Sequence, residues 1–157
     1  MERDTLLRLF QALADEGVDY VLVGGVAVNL HGVVRATEDV DLFVRPDEAN
    51  VARLRRALER TFGDPEVAAI TATDLAGPYP VVRYVPPQGG LSVDLLARLG
   101  ERVRYADLES VQRDVAGVLV RLATPRTLVS LKGGSERPID QQDAARLRAA
   151  FGLEEDD

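Results

Sequence analysis

Apolar positions at the start of the chain recur at helical spacing. Leu6, Leu9, Phe10 and Leu13 fall on one face of a helix predicted over residues 5–16, and Gly17 stops it. The period then changes. Residues 18–23 are short, apolar and β-branched, the composition of a buried strand. A short helix over 26–31 closes at Gly32, and a second strand over 40–44 follows, with Asp39 just ahead of it. Pro46-Asp47 starts a helix that runs to about residue 60, with Val51, Leu54 and Leu58 as its apolar stripe and a solvated arginine-rich face.

The middle of the chain is less regular. Residues 67–70 and 81–85 read as strands, separated by a loop holding Gly77-Pro78-Tyr79-Pro80. Residues 86–90, Pro-Pro-Gln-Gly-Gly, are a turn signal, and 91–96 form a further strand, so 81–96 folds as an antiparallel hairpin. Residues 107–113 read as a short helix or turn, and 115–122 as one or two short strands around Gly117. Thr124-Pro125 caps a helix running to about Lys132, residues 133–135 end it, and a last helix covers 140–151. No repeat or heptad array is present. The element order predicts a mixed α/β (α+β) fold, a mixed sheet flanked by helices with a helical C-terminal end, rather than an alternating βαβ array. One domain is expected over 1–157, with its core at about 18–122 and C-terminal helices at about 124–151.

Composition narrows the chemistry. The chain has no cysteine and one histidine, His31, which removes thiolate metal sites and makes a Ser-His-Asp triad a poor fit. Any catalysis rests on Asp, Glu, Lys or Arg. The formal net charge of -7 argues against a broad basic nucleic-acid platform but leaves room for a nucleotide or RNA at a local basic patch. The early acids Glu2 and Asp4 are unlike a signal peptide, and the apolar run 18–30 is broken by Asp19 and Asn29 and too short to span a bilayer. A cytoplasmic location without a membrane partner is expected. Of the 19 basic residues only Lys132 is a lysine, a hint that this position needs a compact ammonium suited to phosphate oxygens.

The candidate chemistry sits where strand, glycine pair and strand succeed one another. Gly24-Gly25 follows the first strand, and Asp39-Val40-Asp41 places two carboxylates at i and i+2, on one face of the second. Two acids aimed at one spot repel unless a cation lies between them, and a divalent metal is the obvious candidate. The glycine pair can let a phosphate approach the backbone. Asp94, between Val93 and Leu95 in an apolar strand, is costly to bury alone. If its strand lies beside 39–41, three carboxylates converge, a set able to hold two Mg²⁺ for nucleotidyl displacement. Simpler roles compete: Asp39 and Asp41 could pair with Arg35 or Arg45, Asp94 with Arg83, and Asp140 could cap the last helix. His31, Asp74 and Asp107 fit packing, turns and caps.

Gly24-Gly25, the run Arg35-x-Thr37-x-Asp39-x-Asp41-Leu42 and the distal Asp94 resemble the polymerase-β-type nucleotidyltransferase superfamily. Leu131-Lys132, Arg137-Pro138, Asp140-x-x-Asp143 and Leu147 resemble the end of its AbiEii/AbiGii toxin branch, in which a lysine often stands where this chain has Ile139. The resemblance implies a nucleotidyltransferase fold and roles at the matching positions. Asp39 and Asp41 would ligate both metal ions, Mg²⁺ or Mn²⁺. Asp94 would ligate the catalytic one and serve as, or assist, the general base. Gly24 and Gly25 would present backbone to the triphosphate of an NTP, with Thr37 grouped beside them by the same motif. Arg35 and Lys132 would neutralise phosphate charge, and Arg137 and Asp140 would line the nucleotide or acceptor side or brace Lys132.

Three functions follow as expectations. The first is transfer of an NMP from an NTP to a hydroxyl of RNA, including a tRNA 3′ end, or of a protein, by a toxin with a cognate antitoxin. The second is an antibiotic nucleotidyltransferase of the aminoglycoside or lincosamide type, whose cationic drug suits an acidic protein. The third is a non-catalytic nucleotide- or partner-binding module, which the intact Asp39, Asp41 and Asp94 speak against and Ile139 weakly favours.

Overall fold

The computed structural model describes residues 3–33, 37–76, 81–99, 103–132 and 137–153. Helix α1 (Arg3–Asp15) buries Leu9, Phe10, Ala12 and Leu13, and the chain reverses at Gly17 with φ +66°. Strand β1 (Tyr20–Val23) is buried throughout and leads without a loop into helix α2 (Gly24–Leu30). Strand β2 (Asp39–Val44) precedes helix α3 (Glu48–Phe62), whose N-cap Asp47 accepts from the Asn50 N–H. A 3₁₀ turn (Pro65–Ala69) and the short helix α4 (Ala72–Ala76) lead to β3 (Val81–Tyr84) and β4 (Ser92–Leu96). The small pair β5 (Arg98–Leu99) and β6 (Val103–Arg104), a 3₁₀ turn (Tyr105–Asp107), β7 (Ser110–Val115) and β8 (Val118–Ala123) follow. Helices α5 (Pro125–Lys132) and α6 (Pro138–Phe151) end the fold.

The six-stranded sheet has the order β3-β4-β2-β1-β8-β7. It is mixed: β1 runs antiparallel to β2 and parallel to β8, β2 runs parallel to β4, and the two outer pairs are antiparallel. The mixed α/β fold expected from the element order is therefore present. The central strands β1, β2, β4 and β8 supply most of the sheet's core side chains, including Leu22, Leu42, Phe43, Leu95 and Leu122. Helix α1 packs along α3 and against β8, while α5 packs on α6 and reaches α2. Asn50, fully buried at the start of α3, is satisfied by its neighbours. Its side chain accepts from the Asp19 N–H at 2.7 Å and donates to the Asp19 and Arg45 carbonyls at 2.9 and 2.8 Å. It ties α3 to the end of the sheet away from Asp39.

Three local expectations fail, each for a readable reason. Residues 67–70 are not a strand. Asp64 accepts from the Glu66 N–H at 3.0 Å and Pro65 sits at the first helical position, so a 3₁₀ turn forms despite the apolar residues. Helix α4 lies where only loop was expected. Thr71 and Asp74 cap it reciprocally, each side chain accepting from the other's N–H, at 3.1 and 3.3 Å. Residues 107–113 are not a helix: the 3₁₀ turn ends at Asp107, and from Ser110 the chain is strand β7. Its hairpin with β8 turns at Ala116-Gly117, with φ of +52° and +87°, and the Gly117 N–H donates to Asp114 at 2.8 Å. The loop at 77–80 and the helix end at 133–135 lie outside the described residues.

Candidate active site

Strand register assembles the site. Arg83 on β3 lies opposite Asp94 on β4, Asp94 opposite Asp41 on β2, and Asp41 opposite Val23 at the end of β1. Residues directly opposite in adjacent strands share a face. One row across four strands thus reads Arg83, Asp94, Asp41, Val23. Two residues back along β2, Asp39 lies opposite Ser92. The i, i+2 spacing of Asp39 and Asp41 puts both on the row's face, so the three carboxylates named from sequence belong to one patch.

Gly24 forms the floor beneath Asp41. It adopts φ +70°, a conformation that L side chains rarely take, and a Cβ there would lie 1.9 Å from Asp41 Oδ2. The carboxylate occupies the space that a side chain would fill. Gly25 is buried in the first turn of α2.

The electrostatics of the row are lopsided. The Asp41 carboxyl is pushed up to about 7, first by burial and then by the charge of Asp94, a hydrogen bond with Asp94 and the charge of Asp39; Lys132 pulls it partly back. Asp94 is held on its other side. Arg83 Nε donates to Asp94 Oδ1 at 2.9 Å and Arg83 Nη2 to Asp94 Oδ2 at 3.1 Å, a bidentate pair. The same Nη2 stands 3.7 Å from Asp39 Oδ2. The ion pair that competes with metal binding as a role for Asp94 is therefore formed. Among the described residues, no group of three or more histidine, cysteine or acidic side chains is arranged to hold a metal ion. The donor set itself suits a hard divalent cation: crowded carboxylate oxygens, one of them poorly solvated, over a floor with no side chain.

Lys132, at the end of α5, points into a second cluster. Its Nζ lies 3.0 Å from Asp140 Oδ1 and 3.1 Å from Asp143 Oδ2 on α6. The Lys132 and Asp143 side chains are only 9% and 1% exposed. Of the roles open to Asp140, the one formed here is bracing Lys132. Arg137 is 76% exposed, with Nε 3.9 Å from Asp140 Oδ2. Thr37 donates to the Asp39 carbonyl at 3.2 Å and so shapes the approach to β2. Arg35 lies outside the described residues. His31 has a structural role: its Nε2 is 2.7 Å from the Ala123 carbonyl and its ring packs edge-on against Phe151.

The sequence model of the AbiEii family, described as nucleotidyl transferase AbiEii toxin of the type IV toxin–antitoxin system, matches residues 7–131. The chain belongs to the AbiEii family. That match spans α1 through α5 and contains Gly24, Gly25, Asp39, Asp41 and Asp94. No curated protein matches the chain. Among solved structures, this AbiEii-family fold is similar to an antigenic nucleotidyltransferase-like protein from Paracoccidioides brasiliensis. There the TM-score is 0.57 at 19% identity, covering 93% of this chain and 73% of that one. It is also similar to ANT(2″)-Ia, solved in complex with adenylyl-2″-tobramycin, with TM-score 0.54 at 17% identity, covering 99% and 92% of the two chains. At such identities the likeness is one of fold, and the fold is that of nucleotidyltransferases.

Two parts of the site are not singled out by the sequence pattern. Arg83 enters there only as a structural partner for Asp94, although the hairpin turn at 86–90 already sets the two opposite each other. Asp143 enters only within the C-terminal motif. Its spacing of three from Asp140 puts both acids on one side of α6, the signal for a shared cation.

Proposed function

We propose that this chain is a metal-dependent nucleotidyltransferase that moves an NMP from an NTP to a hydroxyl of RNA, such as a tRNA 3′ end, or of a protein, and acts as the toxin of a toxin–antitoxin pair. The observation that carries the reading is Asp41, in register with Asp94 and seated on Gly24. Asp39, Asp41 and Asp94 would hold Mg²⁺ or Mn²⁺, which when bound supplies charge neutralisation for a triphosphate and acidifies an attacking hydroxyl. Asp94, in register beside Asp41, would ligate the catalytic ion and serve as, or assist, the general base toward the acceptor hydroxyl. Gly24 and Gly25 would present backbone to the triphosphate. Lys132, held by Asp140 and Asp143, adds positive potential at Asp41 and would neutralise phosphate charge. One contiguous hydrophobic cluster, from Leu9 to Leu147, supports reading 1–157 as a single domain. Among the described residues no helix is long and apolar enough to cross a membrane. A cytoplasmic location goes with this reading, because its NTP and RNA or protein substrates are met there.

Incubation with α-labelled NTPs, Mg²⁺ and total RNA or cell protein tests the reading. Label is expected on one macromolecular class with wild type and is lost with Asp41→Asn. No transfer from any NTP to any macromolecule would overturn it. The fold shared with ANT(2″)-Ia over nearly the whole chain supports a second reading, transfer to a cationic antibiotic. Reduced drug susceptibility on expression would favour that acceptor; growth arrest relieved by a neighbouring gene would favour the toxin.

A further inference from the structure

Arg83 is positioned as a counter-cation for the carboxylates that the proposed chemistry needs. Both Asp94 oxygens accept from its guanidinium, at 2.9 and 3.1 Å, and the same group reaches Asp39 at 3.7 Å. Any metal that takes Asp94 as a ligand therefore competes with Arg83 for the same lone pairs. A guanidinium does not lose its proton in a protein, so it can be exchanged but not neutralised. Exchange is mechanically easy. Arg83 stands on β3, the edge strand of the sheet, and its side chain is 58% exposed while that of Asp94 is 11% exposed. Retraction needs only rotation of a long side chain at the rim, with no change in the sheet.

Once displaced, the guanidinium lies at the mouth of the site with its fork open. The anion that would take it up is a phosphate of the incoming nucleotide, since Arg matches phosphate oxygens bidentately. Metal alone would cost Arg83 its partner, whereas metal with NTP would replace that partner. Resting on the nucleotidyltransferase reading above, we infer that Arg83 is a positioning residue that couples metal entry to nucleotide binding: it occupies Asp94 and Asp39 in the free protein, weakens binding of a divalent ion by itself, and is handed to the nucleotide phosphates when both arrive together.

Mn²⁺ titration followed by electron paramagnetic resonance tests this on the full chain, with and without a non-hydrolysable NTP analogue, for wild type, Arg83→Gln and Arg83→Lys. Thermal unfolding confirms that the variants fold. Arg83→Gln is expected to bind Mn²⁺ alone up to about fivefold more tightly than wild type, the upper end of the range for an exposed ion pair converted to affinity. The tightening produced by the NTP analogue is expected to be large in wild type and reduced by a similar factor in Arg83→Gln. Arg83→Lys, which keeps charge but loses the fork, is expected to fall between. If Arg83→Gln binds Mn²⁺ alone no more tightly than wild type while both still bind the Mn²⁺–nucleotide complex, the coupling role is overturned and the nucleotidyltransferase reading stands. If neither protein binds Mn²⁺ with or without nucleotide, both fall together.

Discussion

Two clusters of this molecule set a cation against two acids, and they are built in opposite ways. At the sheet edge, Arg83 lies 58% exposed against Asp94 and Asp39. Between α5 and α6, Lys132 lies 9% exposed against Asp140 and Asp143, the latter 1% exposed. An exposed pair contributes little to stability and exchanges readily, whereas a buried one cannot lose a member without leaving a desolvated charge. The same chemistry thus serves a replaceable counter-ion at one place and a fixed brace at the other. The brace still acts on the site, because Lys132 is the positive charge that partly offsets the crowding of Asp41 by Asp94 and Asp39.

The largest expected effect lies in the buried cluster. Lys132→Ala leaves Asp140 and Asp143 facing each other without their shared cation and should lower unfolding free energy by about 3–5 kcal/mol, measured by urea denaturation. Arg83→Gln should lower it by less, about 1 kcal/mol, because Arg83 is exposed and only Asp94, 11% exposed, is left poorly solvated. Equal losses would mean that exposure is not what separates the two clusters.

Gly24→Ala comes next. The added Cβ meets Asp41 Oδ2 at 1.9 Å in a conformation with φ +70°, so the carboxylate must shift. A displacement of about 1 Å in a reacting group costs on the order of a hundredfold in rate, and label transfer should fall by that much while the protein still folds. Transfer at wild-type rate would show that Asp41 need not sit where Gly24 places it.

A pH effect of intermediate size follows from the raised Asp41 carboxyl. In the metal-free protein the folded state holds this proton more tightly than the unfolded chain does. The resulting stabilisation is complete below about pH 4 and is lost as pH rises through about 7. Melting temperature of the metal-free protein should decline across that window, and Asp41→Asn should flatten the decline. A profile unchanged by Asp41→Asn would place the titration elsewhere.

Much of this site is legible in the amino-acid sequence. Glycine pair, Asp39-x-Asp41 and a lone acid in an apolar strand are patterns of type and spacing, and the sheet turns spacing directly into position. What escapes depends on pairing across the chain. Arg83 is one of 18 arginines, and only its register with Asp94 distinguishes it. Lys132 stands out by rarity, yet its direction is set by how α6 packs on α5, which no local pattern fixes. The segments at 67–70 and 107–113 show the same limit. An apolar run does not tell strand from tight helix when Asp64-Pro65 starts a turn, and β7 becomes a strand by pairing with β8.

The smallest effect is the surface control. Arg60→Ala removes contacts to Asp15 and Glu16 from a side chain 50% exposed, and should change stability by about 0.5 kcal/mol or less. A larger loss would undo the distinction between rim and interior on which the two clusters are compared.

The central claim is that the sheet end carrying Asp39, Asp41 and Asp94, over Gly24, receives the nucleotide with its metal. Paramagnetic broadening of backbone amide signals by Mn²⁺ with a non-hydrolysable NTP measures this directly. Signals of residues 22–26, 39–42 and 92–95 are predicted to broaden first, while Arg45 and Tyr105 at the far end of the sheet keep theirs. Broadening that begins at Arg45 and Tyr105, or that spares Gly24, Asp41 and Asp94, would contradict the account.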